Sequence, residues 1–175
     1  MVTACKRAGA TTITAITPYY GYARQDRKFM NRAQPISGAD VSQILEHVGV
    51  DRIATIDVHC DKIIGSVSPR TVFDNFNASV TGISYFLKEI PDKNKICIIS
   101  PDAGGIARAT QFHSCFKYHG YYNVSLAFMS KVRKVVNEVH KVRLIGDVQG
   151  KTCIIVDDMI DTAGTLCISA KHLVE

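Results

Sequence analysis

KTCIIVDDMIDTAGT, residues 151–165, is the stretch whose reading decides the fold of this chain. Residues 153–156 are a short apolar strand that stops at two adjacent acids, Asp157 and Asp158. A tight turn of Asp161, Thr162, Ala163, Gly164 and Thr165 follows. Leu166, Ile168, Ala170, Leu173 and Val174 then recur with the spacing of an amphipathic helix. In open α/β sheets ligands collect outside the carboxyl ends of the strands, where the next helix points its amides. Backbone N–H groups of the turn can cradle a phosphate, helped by the positive end of the helix dipole. Gly164 allows close approach, and the hydroxyls of Thr162 and Thr165 add donors. Two carboxylates beside such a cradle repel an anion unless the ligand also brings hydroxyls or a divalent cation, as a sugar phosphate with magnesium does. The loop lacks the Gly-Lys-Ser/Thr ending of a Walker A motif. A surface turn with an acidic strand end has the same composition, so the stretch alone leaves both readings open.

The rest of the chain alternates strand and helix. Strands are expected at 13–17, 52–57, 96–99, 123–128 and 142–145. Helices are expected after SGAD, residues 37–40, and at 78–90 and 105–118. SGAD resembles a capping box with Asp in the Glu position. Its helix carries Val41, Ile44, Leu45 and Val48 at i, i+3, i+4 and i+7, and the second carries Val80, Ile83, Leu87 and Ile90 on one face. The continuous apolar run 96–99 is of the kind buried on both sheet faces. Such alternation predicts an α/β fold with parallel sheets flanked by helices, with a division near residues 75–78. The opening residues read as the last turns of a helix capped by Gly9, and the final residues stop inside a helical pattern. The expectation is therefore a fragment of a longer protein.

Composition narrows the function classes. At 175 residues the chain is long enough to bury a substantial core, and its 46% apolar content is ordinary for a globular protein. No apolar run approaches the ~20 residues of a membrane span, and no secretory or transit segment is visible. The net charge of +5 suits an anionic small molecule at least as well as nucleic acid, for which a denser basic stripe is expected. Six cysteines without a CxxC pair, several inside apolar runs, point to reduced thiols and a cytoplasmic setting.

Four further constellations lie at strand ends. YARQDRK, residues 22–28, sets Arg24, Arg27 and Lys28 among the aromatics Tyr19, Tyr20, Tyr22 and Phe29. An arginine there can stack on a purine and bind phosphates, although a solvated basic loop has the same composition. Asp57 and His59 end the strand before them, and side chains at i and i+2 share one strand face. His59 is an atypical ligand for magnesium, which prefers oxygen. SPDAGG, residues 100–105, offers paired glycines to an anion and Asp102 to a metal or a ribose hydroxyl; a plain Pro/Gly turn is the alternative. KVRK, residues 131–134, opens a basic segment that otherwise reads as a solvated face with valines packing inward.

Together these segments resemble the ribose-phosphate pyrophosphokinases (phosphoribosyl diphosphate synthetases), in that family's order and over nearly the whole chain. The loop after 153–156 is shared with type I phosphoribosyltransferases, but those do not carry YARQDRK. The resemblance implies two phosphoribosyltransferase-like lobes, both incomplete. Residues 1–77 would be the end of the amino lobe, on the ATP-binding side, and 78–175 the start of the carboxyl lobe, with the ribose 5-phosphate loop. It implies diphosphoryl transfer from ATP to ribose 5-phosphate with release of AMP, in the service of nucleotide biosynthesis. Arg24, Gln25, Asp26, Arg27 and Lys28 would bind ATP. Asp157, Asp158, Asp161, Thr162, Ala163, Gly164 and Thr165 would bind ribose 5-phosphate. His59, Asp102 and Asp57 would hold Mg2+, and Lys131 and Arg133 of a mobile loop would be catalytic. Asp74 matches a further acid of the family. The partners implied are ATP and ribose 5-phosphate, with no nucleic acid or membrane, in a homo-oligomer, a hexamer built from dimers. RAQPI, residues 32–36, is one residue longer than the family pattern. A non-catalytic associated subunit of the synthetase complex, or a phosphoribosyltransferase, is the alternative.

Overall fold

The computed structural model describes residues 1–28, 33–132 and 141–174, which divide into two compact units, Met1–Ala78 and Ser79–Glu175. Each has its own sheet and core. No helix among the described residues is long and apolar enough to cross a membrane.

The first unit contains α1 (Val2–Arg7), β1 (Thr14–Thr17), α2 (Ser37–His47), β2 (Arg52–Ile56), a 3-10 helix (Asp61–Ser66) and β3 (Val72–Phe76). Its three strands are parallel in the order β1-β2-β3. The core forms on one face, where Ala15, Ile53 and Phe73 stand in register across the strands. Tyr20 packs its ring on Phe73 at 5.2 Å and shares a 2.7 Å hydrogen bond with Ser42 Oγ. On the other face Ile16, Ile56, Val72 and Phe76 are exposed.

Two expectations are corrected in this unit. The capping box does not form: Ser37 is already inside α2, Ile36 is the N-cap, and no side chain caps the helix. The buried positions of α2 are Gly38 and Ser42, with Val41 and Leu45 packed beside the core, whereas Ile44 and Val48 face solvent. The reason is close packing. A Cβ on Gly38 would lie 2.8 Å from Ile63 Cδ1 and 3.2 Å from the Tyr22 carbonyl, so the smallest residue defines the contact face. Strand β3 was not anticipated. Its Asp74 pairs with Arg52 Nε at 3.0 Å, a cross-strand bond that accounts for this acid without a ligand.

The second unit contains α3 (Ser79–Glu89), β4 (Ile96–Ser100), α4 (Ile106–Tyr118), β5 (Ser125–Val132), β6 (Lys141–Ile145), β7 (Thr152–Ile155) and α5 (Gly164–Val174). The sheet order is β6-β5-β4-β7. Central β4 is buried along its whole length. Ile96 and Ile98 pack with Ile154 against Ile83, Phe112 and Phe116, while Cys97 and Ile99 face Ala127, Leu144 and Leu173 on the opposite side. Each fully buried side chain of this size contributes about 1.5–3 kcal/mol of apolar transfer energy. Val80, expected on the inner face of α3, is exposed.

The sheet is mixed, which corrects the expectation of a parallel one: β5 and β6 are antiparallel, with Lys131 opposite Val142. Only eight residues separate these strands, and a parallel crossover needs a dozen or more. Lys131 therefore belongs to the end of a strand and not to a loop. Arg133 lies outside the described residues.

Candidate functional site

In the first unit the candidate site grows from the segment after β1. Tyr20 and Ala23 are buried and anchor it, and Tyr22 between them takes a left-handed backbone, φ 62°. That turn sends Arg24 and Gln25 outward, while the Gln25 carbonyl accepts the Gly38 amide at 3.2 Å. A cleft of about 580 Å³ results, lined by Arg24, Gln25, Asp26, Arg27, Gln34, Pro35 and His59. Arg24, Gln25, Asp26, Arg27 and His59 thus line one cleft. Lys28 is exposed and is not part of the lining. Gln34 and Pro35 were missed, although the extra residue in 32–36 marked this segment as unusual.

Asp26 is held tightly. Arg27 donates to it from Nε at 2.8 Å and Nη2 at 2.7 Å. The Arg27 bonds, ahead of the Cys60 contact, hold the Asp26 carboxyl far below the usual carboxylate range. Burial, then Asp26, pushes the Cys60 thiol up.

Asp57 departs from the expected geometry. β2 ends at Ile56 and Asp57 has φ 46°, so the alternation that would align Asp57 with His59 is broken. The Asp57 carboxylate accepts the Ala78 amide at 3.2 Å, while His59 lines the cleft.

In the second unit two loops at neighbouring strand ends form the candidate site, since β4 and β7 pair in register. After β4, Asp102 folds back: its Oδ1 accepts the Gly105 amide at 2.9 Å, and its carbonyl accepts the Ser100 hydroxyl at 2.6 Å. A Cβ on Gly105 would lie 2.8 Å from Ser100 Oγ, so this glycine serves the closure of the turn itself. After β7, the Asp158 amide donates to Asp157 Oδ1 at 2.9 Å. Arg108 Nη1, from the first turn of α4, reaches Asp158 Oδ1 at 3.4 Å. Burial, then Asp158 and Asp102, push the Asp157 carboxyl up.

Asp161 and Thr162 are exposed, and Ala163 has φ 60°. Helix α5 begins at Gly164, so Gly164 and Thr165 supply first-turn amides, which have no acceptor within the helix. The turn expected through Thr165 is thus one part turn and one part helix. Tyr22, Asp57 and Ala163, the non-glycine residues with left-handed φ among the described residues, all lie in candidate site segments, where strained backbone concentrates. Arg108 is the residue sequence reasoning missed here. Its place one turn into the helix after SPDAGG was the available signal.

Among the described residues no three His, Cys, Asp or Glu side chains converge closely enough to enclose a metal by themselves. Magnesium does not need such a cage, because it keeps waters and takes one or two carboxylates plus phosphate oxygens. The crowded, partly buried Asp157, with Asp158 and Asp102 beside it, is a donor set that a divalent cation would relieve.

Known proteins resemble this chain along its length. A family model described as the N-terminal domain of ribose phosphate pyrophosphokinase matches residues 1–49, and one described as a phosphoribosyl transferase domain matches residues 71–175. The ribose-phosphate pyrophosphokinase of Marinomonas sp. (strain MWYL1) is 40% identical over 177 aligned positions, covering 100% of this chain and 53% of the relative. That of Pasteurella multocida (strain Pm70) is 41% identical over 175, with the same coverage. Among solved structures, phosphoribosylpyrophosphate synthetase from Mycobacterium smegmatis matches with a TM-score of 0.84 and 37% identity, covering 99% of this chain and 53% of that one. The chain spans about half the length of these relatives.

Proposed function

The chain belongs to the ribose-phosphate pyrophosphokinase family, and from that premise we propose that it serves the transfer of a diphosphoryl group from ATP to the anomeric hydroxyl of ribose 5-phosphate, releasing AMP. The observation that carries this reading is the cleft in the first unit, where Arg24, Gln25, Arg27 and His59 face one volume large enough for a nucleotide.

In this reading Met1–Ala78 is the ATP side and Ser79–Glu175 the ribose 5-phosphate side. Arg24 and Arg27 offer planar guanidinium donors to phosphate oxygens, and Gln25 and His59 orient the nucleotide. In the second unit the amides of Gly164 and Thr165, with the Thr162 and Thr165 hydroxyls, bind the 5-phosphate. Asp157 accepts from the ribose hydroxyls, and Asp158 is held in place by Arg108. Magnesium held through Asp157 and Asp102 in the second unit would neutralise phosphate oxygens. Attack in line on the β-phosphorus needs positioning and charge neutralisation more than covalent help. Lys131 and Arg133 supply cations for the charge that spreads over the transferring group, each lowering the barrier by about 2–4 kcal/mol. The working assembly is a cytoplasmic homo-oligomer.

AMP formation that requires both ATP and ribose 5-phosphate tests the reaction directly. Arg24→Ala is expected to weaken ATP binding with little effect on ribose 5-phosphate. Lys131→Ala is expected to lower kcat about 100-fold or more at a nearly unchanged KM. Consumption of phosphoribosyl diphosphate with a nucleobase, and no AMP from ATP, would replace this reading with a phosphoribosyltransferase. ATP binding that ignores Arg24→Ala would remove the cleft from it.

A further inference from the structure

Asp26 sits in the cleft that the proposed function gives to ATP, yet its chemistry is wrong for a group that touches a polyanion. A carboxylate facing a triphosphate repels it, and the Asp26 side chain is only 4% exposed. Both of its oxygens are engaged by Arg27, at 2.8 Å and 2.7 Å. Arg27, by contrast, is 65% exposed. A guanidinium carries five N–H donors in a rigid plane, and the fork toward Asp26 uses two of them. The others lie on the sides of the plane turned from the carboxylate.

We propose that Asp26 is a positioning residue: gripping Arg27 through both carboxylate oxygens, it fixes the plane of the Arg27 guanidinium so that its remaining donors meet the nucleotide phosphates. The inference rests on the reading of this cleft as the ATP site. A flexible, exposed arginine loses side-chain freedom on binding a phosphate, and a carboxylate that fixes it beforehand removes much of that loss. Asp26 then acts through Arg27, without contact to the nucleotide.

The test uses the full chain, with ATP affinity measured by calorimetry for Asp26→Asn, Arg27→Ala and the double variant, and Arg24→Ala alongside. The Arg27 Nε–H resonance is followed by NMR in the same proteins without nucleotide. Expected are a protected Nε–H signal that exchanges faster in Asp26→Asn, and ATP binding about tenfold weaker in each single variant. The double variant should be no weaker than Arg27→Ala alone. Additive losses would mean that Asp26 meets the nucleotide itself and would overturn the proposal. So would tighter ATP binding by Asp26→Asn, or unchanged binding while Arg24→Ala weakens it. If Arg24→Ala also changes nothing, the assignment of the cleft to ATP falls as well. A signal as well protected in Asp26→Asn as in the parent would refute the brace whatever the affinities.

Discussion

Arg108 and Asp158, 50 positions apart in sequence, meet at 3.4 Å in the second unit with side chains 16% and 9% exposed. A carboxylate so nearly enclosed depends on its cation, and removing one partner of such a pair strands the other. Arg108→Met is therefore expected to lower the stability of the chain by about 2 kcal/mol, read as a shift of the urea midpoint. Adding Asp158→Asn to it should recover part of that loss. Equal losses in the single and double variants would show that the pair is incidental.

Asp157 sits in the opposite situation. Burial and the neighbouring acids Asp158 and Asp102 press its carboxyl upward. Asp157→Asn keeps an oxygen for the Asp158 amide while it removes the crowded charge. The ligand-free variant should melt a few degrees higher than the parent, and should gain less from ribose 5-phosphate with magnesium. Thermal shift measurements with and without these ligands separate the two effects. A lower melting temperature without ligand would show that the charge is already compensated.

Ala163 stands at φ 60° immediately before α5, with its carbonyl accepting the Cys167 amide at 2.9 Å. The left-handed region strains any residue with a Cβ, and glycine adopts it freely. Ala163→Gly is expected to stabilise the chain by about 1 kcal/mol, measured by urea unfolding. An equal loss instead would mean that the turn relaxes to negative φ in solution.

The first unit is expected to be acid-sensitive. Asp26 is held low by Arg27, Glu46 by Ser68, and Asp51 by the Ile13 amide and Lys6. Folded values below the unfolded ones, which lie near ~4, mean that these groups stabilise the fold above that pH. The contribution disappears as the pH falls from about 4 through the folded values. Stability measured between pH 7 and pH 2 should fall on the acid side, and Asp51→Asn should make the fall shallower. A profile unaffected by Asp51→Asn would show that its bonds to Ile13 and Lys6 add nothing.

The sequence by itself determined the elements and the ends at which chemistry gathers. Apolar spacing and turn residues are local, and local physics is enough to mark β4 or β7 and the loops beyond them. It also carried the resemblance, because YARQDRK, SPDAGG and the run 151–165 are each contiguous. Only the tertiary structure decided which partner each charge receives. The pairing of Arg108 with Asp158 and the bond from Asp74 to Arg52 both depend on where distant segments cross. The same holds for α2, whose buried face is set by how closely Ile63 approaches Gly38, and for Asp57, turned from the strand by its backbone. Side-chain periodicity records which residues avoid water. It does not record what stands opposite them, and the chemistry of a site is fixed by what stands opposite.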